Sequence, residues 1–158
     1  MKHDAYRVFA AKQVWFRKQD WILNMTDYKT GDRYQQGVEV MERISMNPAR
    51  MDAIAEANGA VGPDVARMLG EFCFGDVWTH GPLDDRSKRI ITLATISALG
   101  RERKLRGQIA NALAQGFTRE EIQSIFVHQF AYGGFPMGLS GLLVAQEVFA
   151  ELDAQDVD

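Results

Sequence analysis

Residues 83–100 decide the fold, and they read LDDRSKRIITLATISALG. Asp84 can act as an N-cap, because its carboxylate accepts backbone N–H groups and meets the positive end of the helix that follows. Gly100 predicts the end of this helix, since glycine readily takes the left-handed conformation of a helix C-terminus. Almost no polar face remains between these two residues. A helix that is apolar nearly all round is normally buried on several sides, so we expect it to be the central helix of an all-helical core.

The composition excludes several classes of protein. The chain has 158 residues, of which 46% are hydrophobic and 25% charged, as in an ordinary globular domain. Its net charge of −3 argues against nucleic acid as a partner, because phosphate binding needs a concentrated basic surface. No apolar run is long enough to span a bilayer, and the N-terminus lacks the apolar core of a secretory signal. Cys73 is the sole cysteine, which favours a reducing cytoplasm and excludes an intramolecular disulfide.

Helical periodicity dominates after residue 32 and predicts six or more helices with short connectors and no strand. We therefore predict a single all-α domain over residues 32–150. The residues expected to face inward on the helix over 63–78 are Val65, Met68, Leu69, Phe72 and Cys73, and those of the last helix are Leu139, Leu142, Leu143, Gln146 and Phe149. Cys73 is interpreted as a small buried hydrophobe and not as a nucleophile, since no partner is visible nearby.

Residues 116–122, GFTREEI, give the clearest local signal. Thr118 and Glu121 have the spacing of a capping box, and Phe117 with Ile122 has that of a hydrophobic staple. A helix is therefore predicted to begin directly after Thr118.

Two terminal segments stand apart from the helical domain. Residues 1–31 alternate basic residues with aromatic ones such as Trp15, Phe16 and Trp21. Such interleaving can bind single-stranded nucleic acid, but the negative net charge favours an amphipathic arm that packs on the core or on a neighbouring subunit. Residues 151–158 are acidic and are predicted to form a solvated tail.

Short motifs follow one another in a fixed order between residues 32 and 150. They are RYQQG at 33–37, FGDVWT at 74–79, LDDR at 83–86, TLA at 92–94, ALGR at 98–101, GFTREEI at 116–122 and YGGFP at 132–136. Their order and spacing resemble the γ-carboxymuconolactone decarboxylase family, within the superfamily of alkylhydroperoxidase D-like proteins. The resemblance implies an all-helical fold that assembles into homotrimers or homohexamers, works without metal or organic cofactor, and serves the catabolism of aromatic compounds.

Two branches of that superfamily differ in chemistry. The peroxidase branch carries a Cys-x-x-Cys motif followed by a His, with a Glu one helix earlier. By resemblance, the two cysteines fall on Arg101 and Lys104, the His falls on Gln108, and the Glu falls near Arg89. All four are replaced, and a thiol peroxidase needs an attacking thiolate and usually a resolving thiol. The decarboxylase branch lacks the cysteines and releases CO2 from a lactone that bears a carboxylate. Its members commonly keep a His where this sequence has Gln108, and a neutral amide cannot act as an acid or base near pH 7.

The candidate catalytic residues are His128 and His80, and no metal ligands are expected. The candidate substrate-binding residues are Arg89, Gln108, Trp78, Tyr132 and Phe135. Arg89 can bind a carboxylate bidentately or be a solvated arginine at a helix start. Gln108 is either a satisfied structural amide or a group of the pocket. Either histidine can carry a proton near neutrality or be structural, and the aromatic residues form an apolar wall or belong to the core.

The leading functional hypothesis is a cofactor-independent lyase that acts on a small carboxylated lactone or a related enol or keto acid. Two alternatives stay open: a relative that catalyses another proton transfer, such as cyclisation or isomerisation, and a non-catalytic module that binds a ligand or a partner protein. The resemblance also implies a trimer-based oligomer, which the aromatic arm favours because its large apolar side chains need a surface to cover them.

Overall fold

The computed structural model describes residues 31–155, and in this range the chain is all-helical with no strand. The α-helices are α1 (Asp32–Arg43), α2 (Arg50–Ala57), α3 (Gly62–Met68), α4 (Asp85–Ala98), α5 (Glu102–Ala114), α6 (Arg119–Tyr132) and α7 (Phe135–Gln155). A 3₁₀ turn, Gly59–Val61, precedes α3, and α3 continues directly as a π-helical segment, Leu69–Val77. The all-α prediction is confirmed. The predicted N-terminal arm, up to residue 30, lies outside the described residues.

The interior consists of two hydrophobic clusters. The first, the α4–α7 core, is built around Leu93, Leu105, Ile109, Ile122 and Phe126. The second, the α1–α3 core, is built around Tyr34, Met41, Ile44, Met51 and Phe74. Polar contacts join the two halves of the molecule. The guanidinium of Arg43 donates to Asp85 at 2.6 Å, and the Ser45 hydroxyl donates to the carbonyl of Ala114 at 3.2 Å.

Glycines let α1 approach the π-helical segment at backbone distance. A Cβ atom built on Gly37 would lie 2.1 Å from the carbonyl oxygen of Gly70, and one on Gly75 would lie 2.6 Å from the carbonyl oxygen of Arg33. Any larger side chain would push the two elements apart. This contact fixes the end of the π-helical segment, and therefore Trp78, against the rest of the α1–α3 core.

Helix α4 has the predicted ends but not the predicted burial. The Asp84 carboxylate accepts the Ser87 N–H at 2.7 Å, and Gly100 has a φ of +63°, as expected of a cap and a stop. Burial on several sides is wrong for the single chain, because Ile90, Ile91 and Leu99 are exposed. Helices α5, α6 and α7 cover one face of α4, and nothing in residues 31–155 covers the opposite one.

Helix α6 begins as predicted. The Thr118 side chain accepts the Glu121 N–H at 3.1 Å, and the Glu121 carboxylate accepts the Thr118 N–H at 2.8 Å, which completes the capping box. Phe117 and Ile122 are both buried in the α4–α7 core, as the staple requires.

The predicted inward faces of the helix over 63–78 and of α7 are confirmed only in part. Phe149 is buried, and Leu69, Cys73 and Leu142 are partly buried against the two cores. Val65, Met68 and Phe72 are exposed, whereas the α3 face that packs inward carries the smaller Ala66 and Gly70. Along α7 the exposed residues include Leu139, Leu143 and Gln146, whereas the buried ones are Gly138, Gly141, Val144, Ala145, Val148 and Phe149. In both helices the close-packed face is the one that carries glycine, because glycine allows aromatic rings or backbone to approach the helix axis.

The acidic C-terminal segment continues α7 as far as Gln155, beyond the boundary assigned to the solvated tail. Glu151 accepts a hydrogen bond from Arg106, and Asp153 accepts one at 3.0 Å from Arg119, so these carboxylates join α7 to α5 and α6. Among the helices of residues 31–155, none is both long and apolar enough to cross a membrane.

Candidate functional site

The Arg89 guanidinium is buried where the two halves of the molecule meet. Its Nε donates to the Gln115 side-chain oxygen at 2.9 Å, one Nη donates to the Gln108 side-chain oxygen, and the other donates to the backbone carbonyl of Ile44 at 2.9 Å. The Trp78 ring centroid lies 5.3 Å from the guanidinium carbon, within cation–π distance. We call these five residues the Arg89 cluster.

The Arg89 cluster contains a positive charge without a paired negative one. Arg89 is 0% exposed, and its hydrogen-bond acceptors are two neutral amides and a backbone carbonyl. Burial lowers the pKa of Arg89 to about 10, and the more distant Asp85 opposes that shift only in part. Three of the five guanidinium N–H groups are used, which leaves one on each Nη without an acceptor in the described part of the chain. This arrangement favours an anion, because a buried cation is stabilised most by a carboxylate that forms two parallel hydrogen bonds.

Two of the predicted substrate-binding residues meet directly. By resemblance, Arg89 and Gln108 replace an acid and a histidine of the peroxidase branch, and the structure joins them by a hydrogen bond. Arg89 is not the solvated arginine of the alternative interpretation, since its side chain is fully buried. Gln115, which completes the amide pair around the guanidinium, was not predicted as a site residue.

His128 lies outside the Arg89 cluster. It lines an open groove of about 390 Å³ between α4 and α6, together with Arg86, Ile90, Phe117, Glu121, Ser124 and Gln129. We call this the His128 groove. Arg86, Ile90 and Ala94 follow one another at intervals of four residues, so they form a face of α4 different from the one that carries Arg89. The groove has the volume of a small-ligand site.

Polar groups in the His128 groove are largely paired with one another. Arg86 donates to the Glu121 carboxylate at 2.6 Å, and its guanidinium carbon lies 4.0 Å from the Phe117 ring centroid. The Gln129 amide donates to the Ala94 carbonyl at 2.8 Å and accepts from the Ser97 hydroxyl at 2.9 Å. Sequence reasoning missed Arg86, although its spacing from Ile90 and Ala94 was available as a signal.

The remaining predicted site residues lie at the surface. The Tyr132 ring packs against His128 at a centroid distance of 5.0 Å but is 82% exposed. Phe135 is also exposed and packs against Phe130 at 4.4 Å. His80 is exposed in the connector before α4, two residues after Trp78. The structure therefore brings Arg89, Gln108 and Trp78 together and leaves the two histidines outside that cluster.

Possible metal ligands do not gather in the described range: residues 31–155 contain no group of three or more His, Cys, Asp or Glu side chains that could hold an ion. Cys73 is half-buried beside the α1–α3 core, and burial raises the pKa of its thiol, which disfavours the nucleophilic thiolate.

Comparison with known proteins decides the family. A profile of the carboxymuconolactone decarboxylase family matches residues 63–147, which is more than half of the chain. The chain belongs to this family. The matched range begins at the start of α3 and includes Trp78, Arg89, Gln108 and His128, so it contains the His128 groove and all of the Arg89 cluster except Ile44.

Three relatives cover most of this chain and most of their own length. The 4-carboxymuconolactone decarboxylase of Acinetobacter baylyi is 28% identical over 120 residues, which are 76% of this chain and 89% of that protein. An uncharacterised 15.0 kDa protein of Paracoccus denitrificans is 29% identical over 77% of this chain and 90% of its own. The nitrosuccinic acid decarboxylase of Metarhizium robertsii is 22% identical over 75% and 82%. Membership of the family and these relatives support a decarboxylase-like enzyme.

Proposed function

We propose that this protein is a cofactor-independent lyase that removes CO2 from a small carboxylated lactone or a related enol or keto acid by general acid–base chemistry. One observation carries the proposal: Arg89 is a fully buried cation whose hydrogen-bond acceptors in the described chain are all neutral. Two relatives that act as decarboxylases, on 4-carboxymuconolactone and on nitrosuccinic acid by their names, support the same class of acidic substrate.

Decarboxylation requires that the electron pair of the breaking carbon–carbon bond be accepted elsewhere in the substrate. In a conjugated lactone that pair moves onto the carbonyl oxygen as CO2 leaves, and the resulting enolate then takes one proton on carbon. The two unused N–H groups of Arg89 can stabilise this developing oxyanion, and Trp78 supplies an apolar surface beside it. Because Arg89 is fully buried, a substrate can reach these N–H groups only if neighbouring side chains move.

The proton has two candidate donors in the described chain. His80 follows Trp78 by two residues, and His128 lines the groove on the next face of α4. Gln108 cannot supply a proton near pH 7, so its role in the proposal is to orient Arg89. The proton that the histidine gives to carbon is replaced from water, so one proton is consumed for each CO2 released.

The test is CO2 release from 4-carboxymuconolactone by the purified protein. Arg89→Met should reduce the rate at least a hundredfold, and Arg89→Lys, which keeps the charge but loses the planar donor array, should reduce it by a smaller factor. Arg103→Met is the matched control, because Arg103 is exposed on α5 and should be silent. Thermal unfolding of each variant separates loss of chemistry from loss of fold. Full activity in folded Arg89→Met would overturn the role of Arg89.

The two histidines are separated by the same assay. His128→Gln and His80→Gln change one exposed side chain each, so both variants should fold normally. The proposal requires that one of them loses turnover. Undiminished CO2 release in the double variant would rule out a histidine donor.

The second candidate function is ligand binding without catalysis. It is favoured by the Arg89 cluster itself, in which the described residues include no acid–base group. Thermal stabilisation by small lactones or keto acids without any CO2 release would support binding and contradict the lyase.

We further propose that the protein forms a homotrimer or homohexamer in the cytoplasm, with neither nucleic acid nor membrane as a partner. Supporting this, α4, α6 and α7 carry exposed large apolar residues, namely Ile91, Leu99, Val127, Tyr132, Phe135, Leu139 and Leu143. Extended apolar surface of this kind is typical of a subunit interface. Light scattering should give three or six times the mass of the chain, and a monomeric mass would contradict the oligomer.

A further inference from the structure

One flank of α5 carries three amide side chains at helical spacing. Gln108, Asn111 and Gln115 are separated by three and four residues, so they lie next to one another along the helix. The outer two accept hydrogen bonds from Arg89. The middle one does not bond to Arg89, and its side chain is one methylene shorter than those of its two neighbours.

The Asn111 amide nitrogen is buried and has no hydrogen-bond partner among residues 31–155. A buried amide N–H without an acceptor destabilises the folded protein, and native proteins leave few such groups unpaired. An unpaired donor on the same flank of α5 as the two amides that bind Arg89 is consistent with an acceptor supplied by a ligand.

We propose that Asn111 is an anchoring residue for the substrate: its side-chain N–H and the two unused N–H groups of Arg89 form a site for a carboxylate or enolate oxygen. This inference rests on the proposed function and narrows its substrate class to anions that offer oxygen acceptors and no donors at this point. Each member of the site is a donor, so a protonated amine or a primary amide nitrogen would meet only N–H groups and would be rejected. Asn111 does not take part in proton transfer, because a neutral amide neither gains nor loses a proton near pH 7.

Two substitutions test the site in opposite ways. Asn111→Leu has a similar size and removes the unpaired donor. It should weaken binding of succinate, used here as an unreactive dicarboxylate probe, at least tenfold in calorimetric titrations, while the melting temperature stays the same or rises. Asn111→Asp introduces a carboxylate close to Arg89. It should abolish succinate binding and raise the melting temperature, because the buried cation gains an internal partner.

A purely structural amide would behave differently from an anchoring one. If Asn111 were satisfied within the protein, Asn111→Leu would lower the melting temperature and leave succinate affinity unchanged, and that result would overturn the proposal. Gln36→Glu is the control for added charge, because Gln36 is exposed on α1 and its substitution should alter neither quantity. Should Asn111→Leu not fold, Asn111→Ser removes the amide donor with less added apolar bulk and is judged by the same succinate titration.

The experiments distinguish a failure of the Asn111 proposal from a failure of the lyase proposal. Turnover of 4-carboxymuconolactone that is the same in wild type, Asn111→Leu and Asn111→Asp would overturn the anchoring role and leave the lyase proposal intact. Succinate binding that depends on Asn111, in a protein that releases no CO2, would support the anion site and overturn the lyase. Preference for succinamide over succinate would overturn the donor-only site.

Discussion

Replacing Gly37 by alanine is the sharpest test of how the α1–α3 core is built. The new Cβ would lie 2.1 Å from the Gly70 carbonyl oxygen, 2.9 Å from its carbonyl carbon and 3.2 Å from the Gly75 nitrogen. These neighbours are backbone atoms, so no side chain can rotate to relieve the clash. Helix α1 and the π-helical segment would have to separate by about 1 Å, and overpacking of this kind costs roughly 1–3 kcal/mol or more.

The same substitution at Gly107 provides a matched control. Gly107 lies within α5, and the nearest atom to a Cβ built there is an Arg50 side-chain nitrogen at 3.9 Å, which is ordinary contact distance. Alanine is favoured over glycine inside a helix by about 1 kcal/mol. This gain applies at both positions, but only at Gly37 does the clash exceed it. We expect Gly37→Ala to destabilise by about 2 kcal/mol and Gly107→Ala to stabilise by up to about 1 kcal/mol.

Urea unfolding measures both changes, provided that the slope m is the same for both variants and the wild type. The corresponding shift in melting temperature is about 2–4 °C for each kcal/mol in a protein of this size. Because Ile44 directly follows α1 and its carbonyl accepts from Arg89, a shift of α1 should in addition lower CO2 release by Gly37→Ala but not by Gly107→Ala. Equal unfolding midpoints for the two variants would refute the close contact between α1 and the π-helical segment.

Two further predictions concern the start of α6. Thr118→Ala removes the N-cap of α6 and should lower the free energy of unfolding by about 1 kcal/mol. The control is Thr95→Ala, on the exposed side of α4, which should change this free energy far less. Equal losses for the two variants in urea unfolding would argue against the cap. The Thr118 N–H and then Arg86 lower the pKa of Glu121 below its ordinary 4.5. Its stabilising effect is therefore present above about pH 4.5 and is lost as the pH falls through the lower folded value. The melting temperature of Glu121→Gln should consequently fall less steeply than that of wild type between about pH 5 and 3, and parallel curves would contradict the shift.

The candidate site was only partly predictable from the sequence. The resemblance placed Arg89 and Gln108 at positions where the peroxidase branch has functional residues, and the structure joins the two side chains by a hydrogen bond. The spacing of Gln108 and Gln115 along one flank of α5 was visible as well, but it did not indicate which residue the amides would face. That depends on the angle at which α4 crosses α5 and on the Ile44 carbonyl from the other half of the molecule. For the same reason the sequence could not show that His128, a candidate catalytic residue, lines a groove on the next face of α4.

The sequence by itself determined where α4 and α6 begin and where α4 ends. Asp84, Thr118 and Gly100 act through hydrogen bonds and backbone conformations within a few residues of themselves, so local chemistry is sufficient to predict their roles. The burial of Leu93, Ile109 and Ile122 likewise follows from their spacing.

Tertiary structure alone decided which faces of α3 and α7 pack inward and where the charge of Arg89 is buried. Hydrophobic spacing ranks a large side chain above glycine, so it selected Met68 and Leu143 for the interior. In the folded chain, Gly70 and Gly138 lie there instead, in contact with the Tyr34 and Phe130 rings. A glycine favours burial of a helix face only when another part of the protein comes close enough to occupy the space that a side chain would fill. That partner is distant in the sequence, and only the folded chain brings it there.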